Sequence, residues 1–264
     1  MRCDYDFFYV DNNANNGRDW IVFLHGFGGS SKMWVRQIRL LKSKFNLCAV
    51  TLPGHGDNTS VLDTNSNTLY KDIAAMILRD LKEKGISEAY LISVSMGTLV
   101  ANEILLADSG FVKKSLLTGA VCGASKFVYT QAKLLAKLAP ILPYKFMVNC
   151  CIGLLFPKSS HKRVRIFLKK ECLRLKKEEC KKWFLSFLEN INQVKSVTLD
   201  PKKCVLVVGD EDFIFKKGII ALASRCHIKL HTIKQCGHVC SLHKWREYNS
   251  ILLSFLSATE PCSI

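Results

Sequence analysis

No stretch of this 264-residue sequence is apolar for the roughly 20 consecutive residues that a membrane-spanning helix needs. The longest candidate, Leu134 to Phe156, is broken by Lys137, Pro140, Pro143, Lys145 and Asn149. A basic segment followed by an apolar one is also missing at the start. Met1 to Val10 carries Asp4 and Asp6 instead, so no secretory leader is read there. The twelve cysteines lack the spacing of a disulfide-stapled secreted domain, and Cys48, Cys122 and Cys204 fall inside apolar segments. Reduced thiols in a cytoplasm are therefore the expectation. Internal repeats and low-complexity linkers are absent. Acidic residues are few: 22 Asp and Glu face 38 Lys and Arg, a formal charge of +16. That balance favours anionic ligands, membrane surfaces or nucleic acid, and says nothing about fold. The sequence has no nucleic-acid recognition motif and no stripe of alternating aromatic and basic residues, so nucleic acid is not an expected partner.

What is present is enough apolar content, 48%, to bury a large core, which excludes disorder. Short apolar runs read as strands at Tyr5 to Val10, Trp20 to Leu24, Leu47 to Leu52, Ala89 to Val94, Ser115 to Leu117, Cys204 to Val208 and Lys229 to Ile233. The Asn-rich stretch Asp11 to Asp19 reads as a polar turn after the first of them. Helical spacing appears between the runs, at Lys32 to Ser43, Thr68 to Lys84, Met96 to Leu106 and Trp245 to Leu256. Alternating buried strands and helices predict an α/β fold, a mostly parallel sheet with helices on both faces. From Gly123 to Val194 the alternation stops and only helical patterns remain. This stretch holds 15 Lys and Arg against 4 Asp and Glu. The composition shift predicts a core of residues 1–122 and 195–264 with an inserted helical subdomain at 123–194.

Leu91-Ile92-Ser93-Val94-Ser95-Met96-Gly97 runs a strand into a helix with a serine at the junction. A serine on so sharp a turn has its hydroxyl lifted clear of the backbone above a helix N-terminus. Small residues are needed two positions to either side, and they are Ser93 and Gly97. Alone, the run also fits an ordinary turn with a serine N-cap. Three further features follow strands. His25-Gly26-Phe27-Gly28-Gly29-Ser30 is a glycine-rich loop without the Gly-Lys-Ser/Thr of a nucleotide-binding loop. Gly209-Asp210-Glu211-Asp212 presents acids at a strand's carboxyl end, where open parallel sheets place their sites. Cys236-Gly237-His238 places a histidine between the last strand and the last helix. Cys236, His238, Cys240 and His243 match no common zinc spacing, and no metal or cofactor is expected.

Together with Leu52-Pro53-Gly54-His55-Gly56, these features resemble the α/β-hydrolase superfamily over nearly the whole chain. The resemblance implies about eight strands and a helical cap at the insertion. It implies a serine hydrolase with Ser95 as nucleophile, His238 as base and Asp212 as its partner, Asp210 being the fallback. Phe27 and Met96 hold the matching oxyanion-hole positions. Serine at 95 argues against the relatives that use an aspartate there to open epoxides or remove halides. It leaves esters and thioesters, with amide or carbon–carbon bond cleavage as alternatives, or a ligand-binding or signalling protein with little turnover. The loop residues His25 and Gly26 and the cap residues Leu138 and Phe146 are the expected substrate contacts. The apolar first half of the cap suits an acyl group. The basic second half, His161 to Lys182, would suit an anionic substrate or, transiently, a membrane surface.

Overall fold

Seven apolar runs form one sheet in the computed structural model, which describes residues 17–60, 68–139, 141–191 and 199–257 and the backbone of 6–10. The strands are β1 (Asp6–Val10), β2 (Trp20–Leu24), β3 (Asn46–Thr51), β4 (Ala89–Val94), β5 (Val112–Thr118), β6 (Cys204–Gly209) and β7 (Lys229–Ile233). Their order across the sheet is β1-β3-β2-β4-β5-β6-β7. Only β1 runs antiparallel, at the edge against β3. The expected count of about eight is thus corrected to seven among the described residues. The eighth came from the resemblance; no apolar run in the sequence supplies it. Residues 11–16 of the polar turn after β1 lie outside the described residues.

The parallel register aligns Leu24 with Ser93, Val94 with Thr118, Thr118 with Val207 and Gly209 with Ile233. Five chain segments therefore leave the sheet side by side at one edge. Strand residues alternate between two buried faces. Val22, Leu24, Val50, Leu91 and Leu206 pack on one side with α2 (Leu69–Glu83), α3 (Gly97–Ala107) and α8 (Lys216–Arg225). Ile21, Phe23, Leu47, Ile92 and Val207 pack on the other with α1 (Val35–Leu41) and α10 (Trp245–Ser257). A sheet covered on both faces needs near-continuous apolar strands; β3 and β4 are buried at every position, with only Asn46, Thr51 and Ser93 polar besides Tyr90. Each such side chain contributes about 1.5–3 kcal/mol on burial.

Four helices occupy the chain between β5 and β6: α4 (Lys126–Leu138), α5 (Tyr144–Leu155), α6 (Lys162–Cys172) and α7 (Lys177–Asn190). The predicted boundary at 194 lies outside the described residues. The later helices are tied to the sheet domain by polar contacts. Trp183 Nε1 donates to the Pro53 carbonyl at 3.0 Å, and Ser30 Oγ donates to Glu171 at 2.5 Å. Lys158 and His161 both bond the Glu211 carboxylate, at 2.6 and 2.8 Å, and Arg174 pairs with Asp57. By contrast, α4 contributes no buried side chain. The ten described cysteines are all free thiols.

Candidate active site

Ser95 sits between the end of β4 and the start of α3 with φ of 53°, in the left-handed region. A side-chain-bearing residue held there stores about 1–3 kcal/mol, so the surroundings must fix it. Its N–H donates to the Thr118 carbonyl at 2.9 Å. Its own carbonyl accepts from the Thr98 N–H at 2.8 Å and the Thr98 hydroxyl at 2.6 Å. The same hydroxyl accepts from the Val121 N–H at 3.1 Å, which links the turn to the next strand's exit. Gly97 is required by close approach: a Cβ there would lie 2.5 Å from the Leu24 carbonyl oxygen. Ser93, at the other small position, is fully buried, and its hydroxyl has no hydrogen-bond partner among the described residues.

His238 lies in the loop between β7 and the short helix α9 (Cys240–His243). Its Nε2 is 2.8 Å from Ser95 Oγ, and its Nδ1 is 2.7 Å from Asp212 Oδ2. A carboxylate only accepts, so Nδ1 carries the proton and Nε2 is left to accept from the serine hydroxyl. Asp212 Oδ1 accepts from the Phe215 N–H at 3.0 Å and the Ile214 N–H at 3.3 Å. Burial alone would raise the Asp212 carboxyl, but the His238 charge and these bonds outweigh it and hold it below its ordinary value. Asp210 does not reach the histidine. Its carboxylate accepts from the Cys236 N–H at 3.2 Å and braces the loop. The loop is supported further by the Gly237 N–H, which donates to His243 Nδ1 at 3.0 Å.

Phe27 and Met96 carry N–H groups with no partner among the described residues, in the loop after β2 and at the N-cap of α3. Above Ser95 and His238 lies a cavity of about 740 Å³. Its walls come from the glycine loop, from α4, α5 and α7, and from the turn at Phe213 to Phe215; no Asp, Glu, Lys or Arg lines it. That volume falls in the usual range of small-molecule sites.

A sequence profile of the alpha/beta hydrolase family matches residues 21–251. The chain belongs to that family. Among curated proteins, the Xenopus laevis monoacylglycerol lipase abhd6-B is 22% identical over 97% of this chain and 81% of its own length. The 2-succinyl-6-hydroxy-2,4-cyclohexadiene-1-carboxylate synthase of Serratia proteamaculans is 34% identical over 84 residues, which are 32% of this chain and 31% of that protein. Other short matches likewise span less than half of the relatives' own length. A thermophilic esterase from Thermogutta terrifontis superposes with a TM-score of 0.80 at 17% identity, over 97% of this chain and 94% of that one. At such identity the likeness speaks for the fold alone.

Within this alpha/beta hydrolase, the predicted residues separate into two groups. Ser95, His238 and Asp212 come together, and Gly26 and Leu138 line the cavity beside them. A Cβ on Gly26 would lie 3.0 Å from that of Ser95, so glycine keeps the hydroxyl accessible. His25 and Phe146, expected as substrate contacts, do not line the cavity. His25 is buried: its Nδ1–H donates to the Gly26 carbonyl at 2.8 Å, and its Nε2 accepts from the Leu52 N–H at 2.9 Å. Burial pulls this imidazole down to about 4, partly offset by the bond to Gly26, so it is a neutral brace for the loop. Phe146 points outward and is half-exposed. Two supports escaped sequence reasoning. Gly119, at φ of 53°, leaves room for the His238 ring, which a Cβ would meet at 2.9 Å. Glu211, between the two aspartates, faces the helical insertion instead of the histidine.

Proposed function

We propose that this protein is a serine hydrolase that cleaves a carboxylic ester or thioester through an acyl-enzyme on Ser95. The observation that carries the reading is the unbroken line of hydrogen bonds from Ser95 Oγ through His238 to the buried Asp212 carboxylate. Serine is a weak nucleophile at neutral pH until a base takes its proton. Ser95 Oγ attacks the acyl carbon while His238 Nε2 accepts the proton, then returns it to the leaving alcohol or thiol. Asp212 holds the imidazole tautomer and stabilises the imidazolium. The N–H groups of Phe27 and Met96 receive the negative charge that develops on the acyl oxygen, each such donor being worth about 3 kcal/mol of barrier. Water then repeats the sequence on the acyl-enzyme.

Residues 123–194 act as a cap that roofs the site and shapes the acyl pocket. The lining without charged side chains favours a neutral, apolar acyl group over the anionic substrate that the basic cap suggests, since a carboxylate there would lose its hydration unpaired. A fluorophosphonate probe tests the reading. Labelling of the native chain that disappears in Ser95→Ala supports it; a folded chain that does not label points to the ligand-binding alternative. Hydrolysis of a panel of esters, thioesters and amides then selects the bond type.

A further inference from the structure

The helices that wall the cavity turn a second apolar surface outward. Ile141 is 78% exposed, Phe127 72%, and Leu134 and Leu154 58% each, with Phe146 half-exposed among them. These residues belong to α4, α5 and the turn that joins them. Phe127, Leu134, Leu138 and Leu154 are exposed and also line the cavity, so the outward apolar face surrounds its mouth. Lys126, Lys133 and Lys137 recur at seven- and four-residue intervals along one side of α4, beside the ridge of Phe127, Leu134 and Leu138. Lys145 stands in the first turn of α5. None of these four lysines has an ion-pair partner among the described residues. No Asp or Glu occurs anywhere between Asp108 and Glu171.

An apolar ridge flanked by lysines and free of acids is the pattern of a helix that lies in a lipid interface. Its apolar side chains enter the acyl region while the lysines reach the anionic headgroups. A protein partner would also cover apolar residues, but it gives no reason for an acid-free basic border next to a cavity that carries no charge. We propose that the α4–α5 face docks on an anionic bilayer surface and that the cavity mouth takes its neutral acyl ester from that surface. The delivery role rests on the ester-hydrolase reading; the docking surface does not.

The full chain is centrifuged with phosphatidylcholine vesicles and with vesicles that also contain phosphatidylserine. It is expected to sediment with the second kind, less so as salt rises. Ile141→Ser combined with Phe146→Ser should weaken sedimentation roughly tenfold or more. Lys126→Gln, Lys133→Gln and Lys137→Gln should each weaken it about fivefold. None of these five residues contacts the serine–histidine–aspartate line, so fluorophosphonate labelling and hydrolysis of a water-soluble short ester should stay unchanged. The idea is overturned if native, labelled protein ignores both vesicles or binds both equally. It is also overturned if the double serine variant binds as well as the native chain, or if the basic face retains a duplex oligonucleotide in place of vesicles. Vesicle binding without Ser95 labelling would remove the ester-hydrolase reading and leave the docking surface standing.

Discussion

Gly97 lies against Leu24 so closely that a Cβ would stand 2.5 Å from the Leu24 carbonyl oxygen. The start of α3 thus rests on the end of β2, and this contact fixes the height of Ser95 above the sheet. Gly97→Ala must push helix and strand apart. It should lower stability by about 1–3 kcal/mol, the usual penalty for overpacking. Thermal unfolding and fluorophosphonate labelling together check this; an unchanged melting temperature would show that the elbow yields without strain.

Asp212→Asn keeps the shape of the side chain but lets it donate to His238, which favours the wrong imidazole tautomer. Turnover of an ester substrate should fall about 10⁴-fold, while the fold is retained. Asp210→Asn should leave turnover within a few-fold of native, because among the described residues its carboxylate meets the Cys236 N–H and not His238. Equal losses in the two variants would refute the choice of Asp212.

Acid should act on the same carboxyl. The folded chain holds Asp212 below its ordinary value of 3.8. Its contribution to stability is therefore fully present above that value and disappears as pH falls through the lower, folded one. The gap in melting temperature between the native chain and Asp212→Asn should be constant near neutrality and close only in strong acid. A gap that closed near pH 6 would contradict the assignment.

Ser93→Ala removes a buried hydroxyl that has no partner among the described residues. Stability should stay level or rise by up to about 1 kcal/mol, with turnover unchanged. A clear loss on denaturant unfolding would mean that the hydroxyl makes a contact of its own.

Glu211→Gln removes the charge of the joint acceptor of Lys158 and His161 and so loosens the helical insertion where it meets the exit of β6. The hydrogen bond from Lys158 is the main reason the Glu211 carboxyl lies below its ordinary value. A raised KM with a smaller change in kcat is the expected split, since the walls of the cavity are disturbed and Ser95, His238 and Asp212 are not. A change confined to kcat would place Glu211 in the chemistry.

Much of this was legible in the residues. The central runs marked strands because a doubly covered sheet leaves little room for polar alternation; β7 at the edge, Lys-Leu-His-Thr-Ile, is mainly polar instead, and Ser95, Asp212 and His238 all follow strands. The acidic run at 210–212 was harder. Three consecutive carboxylates look alike in sequence, yet one meets the histidine, one the Cys236 backbone and one Lys158 and His161 of the helical insertion. The difference lies in which way a tight turn aims each of them. His25 misled for a related reason: a histidine opening a glycine loop looks like a substrate contact until its two nitrogens are found bonded to backbone. Phe146 was legible as apolar and helical, but helical spacing cannot say which face of α5 turns inward.

The Trp183–Pro53, Glu171–Ser30 and Glu211–His161 bonds all hold the later part of the helical insertion. The earlier part, α4 and α5, meets the buried clusters through apolar side chains instead, Val128, Tyr129, Val148 and Ile152 among them. Added salt, which screens charged pairs and leaves apolar burial standing, should therefore be felt on the α6–α7 side and not on the α4–α5 side.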